Sequence, residues 1–223
     1  MHKCIWQQEE IPIADYLLSF KDDLKNDFLK GFNSLKEALE EVSPSLNEER
    51  GDLSQKVKDY LVHTNKKPNL NSWKAQTFKY VHPDENIKFI DEDIKIKQRF
   101  PTAFKLIKEF DNDCAIVNYS GLAPHTVINR HTGVENRSGE FIRIHIPLII
   151  PKGDVFLEVY GQEQKWDNLF GFNNQYPHSA YNNTDEYRLI FLIDIRRTRA
   201  GLTKGEPYNE EIEKNAKPFV RQN

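Results

Sequence analysis

The chain has 223 residues, with 31 Lys plus Arg against 34 Asp plus Glu and a net charge of −3; general nucleic-acid binders, whose affinity rests on a basic surface, are excluded. That length suits one sizeable folded domain or at most two small ones, and the 12% aromatic content argues against disorder. Two cysteines, Cys4 and Cys114, rule out a disulfide scaffold or a cysteine-rich zinc module.

Residues 1–16 lack the apolar run of a secretion signal, so the expected location is the cytoplasm, with both thiols reduced. The glycosylation-type triplets at Asn136 and Asn182 are then chance matches. Tyr16, Leu17, Phe20, Leu24, Phe28, Phe32, Leu35 and Leu39 recur mostly at spacings of three and four. They predict one amphipathic helix, or two joined near Gly31, ended by Pro44. Residues 45–72 are polar and weakly patterned and read as loop, with a short helix at 54–62.

The period then changes. A strand is predicted at 73–80 and a helix from Pro101 through Phe104, Leu106, Ile107 and Phe110. From Asp113 onward the pattern is β, with strands at 114–119, 125–130, 141–149, 155–160, 169–173, 179–182 and 187–195 separated by Gly, Asn and Pro. The stretch Ile144 to Pro151 is the most apolar and is far too short to span a bilayer. The organisation expected is a helical region over 1–72, a β core over 73–198 and a polar tail over 199–223. The fold class is mostly β with helices (α+β), a sandwich or barrel with helices packed outside.

Seven histidines occur, and three sit in informative contexts. His131-Thr132-Gly133 follows a predicted strand, Arg143-Ile144-His145 lies within an alternating one, and His178 precedes Arg188 by ten positions. Alternation puts Phe141, Arg143, His145 and Pro147 on one face of their strand, and Ile142, Ile144, Ile146 and Leu148 on the other. A charged group on the buried face of a strand is costly unless something meets it. Arg188 shares a face with Ile190 and Leu192 in a very apolar last strand and poses the same problem. Two arginines aimed inward suit a dicarboxylate, because guanidinium pairs with carboxylate through two parallel hydrogen bonds. His131 and His178 on separate strands suit one divalent metal; imidazole accepts iron, zinc, copper and nickel alike. The position two after His131, where a carboxylate ligand is common in non-haem iron oxygenases, is Gly133.

The ordered set Ser120, His131-Thr132-Gly133, Arg143-Ile144-His145-Ile146-Pro147-Leu148, Trp166, His178 and Arg188-Leu189-Ile190-Phe191-Leu192-Ile193-Asp194 resembles the aspartyl/asparaginyl β-hydroxylase family of Fe(II)/2-oxoglutarate-dependent dioxygenases. The match is dense over residues 120–194 and weaker back to Trp73. The resemblance implies a double-stranded β-helix (jelly-roll, cupin-like) buttressed by the N-terminal helices. It implies Fe(II), 2-oxoglutarate and O2 as cofactor and co-substrates, with His131 and His178 as iron ligands. Arg188 would hold the distal carboxylate of 2-oxoglutarate, Arg143, His145 and Ser120 would help place it, and Trp73 would line its pocket. The activity implied is hydroxylation of an unactivated C–H bond of an amino acid or amino-acid-like substrate, free or in a peptide, with succinate and CO2 as co-products. Some members carry Gly where the carboxylate is expected, as here. Twelve positions separate His131 from Arg143, about three more than the family pattern; the insertion lies within residues 137–140 and leaves open whether Glu135 or Glu140 reaches the metal.

Blander assignments hold for other residues. His125 reads as surface or outer-shell, Trp166 as packing, Arg196 and Arg197 as solvated charges, Cys114 as a small buried hydrophobe. The rival functions are a 2-oxoglutarate-dependent halogenase, with chloride in place of the missing carboxylate, and a non-catalytic barrel that binds a small anion. A zinc hydrolase ranks lower, since no general-base carboxylate stands beside the histidines. The expected partner is a small-molecule or peptide substrate, with no nucleic acid and no membrane.

Overall fold

The computed structural model describes residues 3–42, 73–82, 87–133 and 136–214. The elements in chain order are β1 (Ile5–Gln7), α1 (Ala14–Leu18), α2 (Lys21–Leu29), α3 (Leu35–Val42), β2 (Trp73–His82), β3 (Ile87–Ile90), α4 (Ile94–Arg99), α5 (Pro101–Phe110), β4 (Cys114–Leu122), β5 (Thr126–His131), β6 (Phe141–Ile149), β7 (Val155–Val159), β8 (Gln162–Gln164), β9 (Phe170–Phe172), β10 (His178–Asn182), β11 (Arg188–Arg196) and α6 (Glu210–Lys214).

Among the described residues, all strand pairings are antiparallel and form two sheets. The larger runs β1-β9-β6-β11-β4-β2-β3 and the smaller β5-β10-β7-β8. The chain from β4 to β11 winds back and forth between them: β4, β6, β9 and β11 in the large sheet, β5, β7, β8 and β10 in the small one. That is the double-stranded β-helix, with β1, β2 and β3 extending the edges of the large sheet.

Alternation in the central strands decides which side faces what. Ile142, Ile144, Ile146 and Leu148 of β6, with Leu189, Phe191, Ile193 and Ile195 of β11, face the helices and form one core with Leu17, Leu24, Phe28, Phe100, Leu106 and Phe110. Burying each such side chain stabilises the fold by about 1.5–3 kcal/mol. The buried Tyr119 hydroxyl donates to the Leu24 carbonyl at 2.9 Å, tying α2 to the sheet. The opposite faces of the same two strands carry Arg143, His145, Arg188 and Asp194. They meet a second core of Ile128, Val155, Leu157, Val159, Trp166, Phe170, Phe172 and Ile190 between the sheets.

The N-terminal stripe is cut into three helices rather than one or two. The extra break falls at Ser19, whose hydroxyl donates to the Tyr16 carbonyl at 2.6 Å and so competes with helix continuation. The expected break is present: Gly31 takes φ +82°, and Ser34 caps α3 by accepting the Glu37 amide at 3.1 Å. The helix from Pro101 starts and ends as its pattern predicts. The helix expected at 54–62 lies outside the described residues. Strands β1, β3 and β8 and helix α4 are additions; the three strands are only three or four residues long, too short to show a period. Among the described residues, no helix is long and apolar enough to cross a membrane.

The polar tail has a defined course up to Lys214. Tyr208 N–H donates to the Arg137 carbonyl at 2.7 Å, and Gln175 Nε2 donates to the carbonyls of Arg137 and Glu206 at 3.2 and 3.4 Å. Arg197, expected in solvent, is instead buried; it donates to the Thr203 carbonyl at 2.9 Å and lies 4.6 Å over the Trp6 ring. The tail thus straps the loop that contains the apparent insertion. Gly139 makes the contact possible, having φ +70° and a face against the Glu206 backbone, 2.7 Å from its carbonyl carbon to any added Cβ. Gly139→Ala is expected to lower the unfolding free energy by about 1–3 kcal/mol from backbone strain alone. An unchanged urea midpoint would contradict this account of the strap.

Candidate active site

The seven sequence-singled residues come together between the two sheets. His131 ends β5 and His178 begins β10, directly opposite each other in the ladder. Their ring centroids are 4.2 Å apart. A β-bulge makes this juxtaposition. Ala180 pairs with Ile128, and regular pairing would set Arg130 opposite His178; one extra residue in β5 puts His131 there instead. The same slip turns Arg130 to the outer face, where its guanidinium lies 3.5 Å from Glu158.

Both rings are oriented alike. His131 Nδ1 lies 2.8 Å from the Asn129 carbonyl and His178 Nδ1 2.8 Å from the Tyr176 carbonyl. A carbonyl only accepts, so in the neutral rings each Nδ1 carries the proton and each Nε2 keeps its lone pair. Metal-binding imidazoles are held in this way by their outer shell. His178 is 3% exposed, and burial, with repulsion from His131 and Arg143, holds its pKa well below the usual 6.5. An imidazole pair oriented in this way suits one divalent metal, and among the described residues no third His, Cys, Asp or Glu joins it. Glu140 is engaged by Arg196; Glu135 lies outside the described residues.

The large sheet supplies the other wall. Arg188 on β11 is 1% exposed. Its Nη1 donates to the Ser120 carbonyl at 2.9 Å and its guanidinium lies 4.7 Å over the Trp166 ring. Its Nε–H has no partner among the described residues. Burial pushes its pKa down to about 9, still a cation at neutral pH. A buried guanidinium with an unmet donor is expensive, and a carboxylate is the group that relieves it. His145 on β6 is the neighbouring donor. Trp166 Nε1 donates to its Nδ1 at 3.1 Å, so the proton of the neutral ring sits on Nε2, which is buried without a partner among the described residues. Burial first, then Arg143 and Arg188, holds His145 well below the usual histidine pKa.

The remaining residues complete the chamber. Trp73 donates its indole N–H to Ser120 Oγ at 3.1 Å and its ring lies 6.4 Å from that of His131. The Ser120 hydroxyl proton stays available to donate. Arg143 forms a bidentate pair with Asp194, both bonds at 2.8 Å, so its charge is met within the protein. Phe172 packs 5.1 Å from both His145 and His178. His125 is exposed and contacts Asp185 at 2.8 Å, away from the pair.

Trp166 and Asp194 were missed as site-forming residues. Asp194 was legible, since alternation places it on the face of Arg188 and opposite Arg143. Trp166 lies in a loop, where no period exists to place it. The two low-pKa histidines carry a consequence for the metal-free protein. Unfolded histidines take up protons near pH 6.5 and these two do so only at lower pH, so stability falls as pH drops below about 6.5. The slope contributed is up to about 1.4 kcal/mol per pH unit for each. Urea unfolding at successive pH values should show it, and His145→Gln should flatten the curve; identical slopes would contradict it.

Comparison with known proteins bears on this geometry. A sequence-family model described as aspartyl/asparaginyl beta-hydroxylase matches residues 33–198. Among curated proteins, none matches the chain in sequence. Among solved structures, a Burkholderia pseudomallei oxidoreductase of the 2OG-Fe(II) oxygenase family is 9% identical and aligns over 71% of this chain and 82% of its own, with a TM-score of 0.44. KdgF from a Halomonas species is 10% identical over 60% and 87%, with a TM-score of 0.33. A predicted oxalate decarboxylase from Thermotoga maritima is 14% identical over 40% and 73%, with a TM-score of 0.32.

Proposed function

We propose that this chain, which belongs to the aspartyl/asparaginyl β-hydroxylase family of 2-oxoglutarate-dependent hydroxylases, hydroxylates an unactivated C–H bond of a small amino-acid-like substrate, with succinate and CO2 as co-products. The observation that carries this reading is the pairing of two sites across one chamber. Two imidazoles on one sheet are each held at Nδ1 by a backbone carbonyl, which leaves Nε2 for a metal. On the other, a buried guanidinium Nε–H and a buried imidazole N–H lack partners among the described residues. The donor set fits Fe(II) at His131 and His178 and the distal carboxylate of 2-oxoglutarate at Arg188.

Iron and 2-oxoglutarate, when bound, supply the oxygen activation. The chain's own residues bind, orient and exclude water. Arg188 grips the carboxylate, with Trp166 against its face fixing the guanidinium plane. His145 Nε2 and the Ser120 hydroxyl donate to co-substrate oxygens. Phe170, Phe172 and Ile190 keep the chamber dry, which strengthens each of these charge-assisted bonds. The Arg143–Asp194 pair neutralises itself and rigidifies the wall beside His145.

The test is a mass-spectrometric screen of amino acids and short peptides with Fe(II) and 2-oxoglutarate. The expected result is a gain of one oxygen by an amino-acid-like compound. Oxygen gained only by peptides would overturn the small-substrate preference, and no oxygenated product would favour the anion-binding barrel.

A further inference from the structure

The position two after His131 is Gly133, and its α-carbon faces another side chain rather than open space. A Cβ added there would stand 2.8 Å from Asn174 Cγ, closer still to Asn174 Nδ2, and 3.0 Å from the Asn174 carbonyl oxygen. The far end of a side chain can often swing aside; this one is held. Asn174 is 0% exposed, and its Oδ1 accepts from Asn136 Nδ2 at 2.8 Å. Asn136, also fully buried, is itself locked to Phe141, donating to its carbonyl at 2.9 Å and accepting its amide at 3.0 Å. The Gly133 amide donates to the Asn174 carbonyl at 2.7 Å.

We propose that Asn174 is a specificity-determining residue: its buried carboxamide occupies the space into which a side chain at position 133, or a small anion in its place, would reach toward the metal. This rests on the reading of His131 and His178 as metal ligands. Asn174 is then why Gly stands at 133, and the same carboxamide would bar a small anion such as chloride from the gap left by the missing carboxylate. The carboxamide is neutral, so it closes the face without changing the charge of the site.

The test uses metal-free protein titrated with Co(II), whose visible absorption reports its ligands. A direct ligand counts for at least as much as the outer-shell partners whose loss costs roughly 10–100-fold in metal affinity. Gly133→Asp alone is expected not to tighten Co(II) binding, while Gly133→Asp combined with Asn174→Ala tightens it about tenfold or more. If Gly133→Asp folds only in the Asn174→Ala background, that also supports the proposal. Equal tightening in the single and double variants overturns it. A second arm needs only Asn174→Ala: with 2-oxoglutarate bound, chloride should perturb its Co(II) spectrum at about tenfold lower concentration than in the wild type, and an equal chloride dependence overturns the proposal. Failure of the parent reading is seen separately, as a wild type that binds no Co(II) or a His131→Ala variant that binds it equally well, and it removes the proposal too.

Discussion

Arg188→Met should yield a folded, metal-binding protein that has lost its response to 2-oxoglutarate. The co-substrate requirement is expected to rise roughly a hundredfold or more. Each charge-assisted hydrogen bond to a desolvated carboxylate contributes about 1.5–3 kcal/mol, and a guanidinium supplies two in parallel. The stability of the variant should not fall with it. Among the described residues, Arg188 is a fully buried cation with no carboxylate partner, and its Nε–H is unmet. Replacing buried charge by an apolar side chain of similar volume is often neutral or stabilising. An arginine kept for structure would behave in the opposite way, unfolding when replaced while survivors keep their co-substrate dependence. Urea unfolding and 2-oxoglutarate titration of the same preparation separate the two, and an unchanged requirement would end the assignment.

His131→Ala and His178→Ala should each remove metal-dependent turnover. Loss of an outer-shell partner costs roughly 10–100-fold in metal affinity, and a direct ligand costs more. The two variants differ in side effects. His131 is only partly buried, so its removal should leave stability within about 0.5 kcal/mol. His178 is buried against Phe172, and its truncation opens a cavity. His131→Ala is therefore the cleaner test, by calorimetric metal titration beside circular dichroism. Wild-type metal affinity in either variant would remove that residue as a ligand.

Much of this site was legible before the fold was known, because a strand has period two. That period alone placed Arg143 and His145 on one face of β6, and Arg188 beside Ile190 on β11, each backed by an aliphatic face. What period two does not reveal is a bulge. The alternation of Thr126, Ile128 and Arg130 would have sent Arg130 inward and His131 outward; the extra residue in β5 reverses them. Lying with His178 on separate strands made His131 a possible metal partner, and the resemblance of the His-Thr-Gly turn to the family singled it out. The place of Trp166 beside His145, and of the tail residues that strap the 137–140 loop, could not be read for a related reason. Both act from irregular segments held by long-range hydrogen bonds, such as Trp166 to His145 and Tyr208 to Arg137, and no local pattern encodes such a partner. Asn174 belongs to the same class, since its amide is committed to Asn136, 38 positions away.

The most direct measurement is the conversion of 2-oxoglutarate to succinate by the purified protein, with and without Fe(II), beside His131→Ala and Arg188→Met. The account predicts iron-dependent succinate from the wild type, none from His131→Ala, and recovery by Arg188→Met only at greatly raised 2-oxoglutarate. Succinate formation that ignores iron, or that survives the loss of His131, would contradict it.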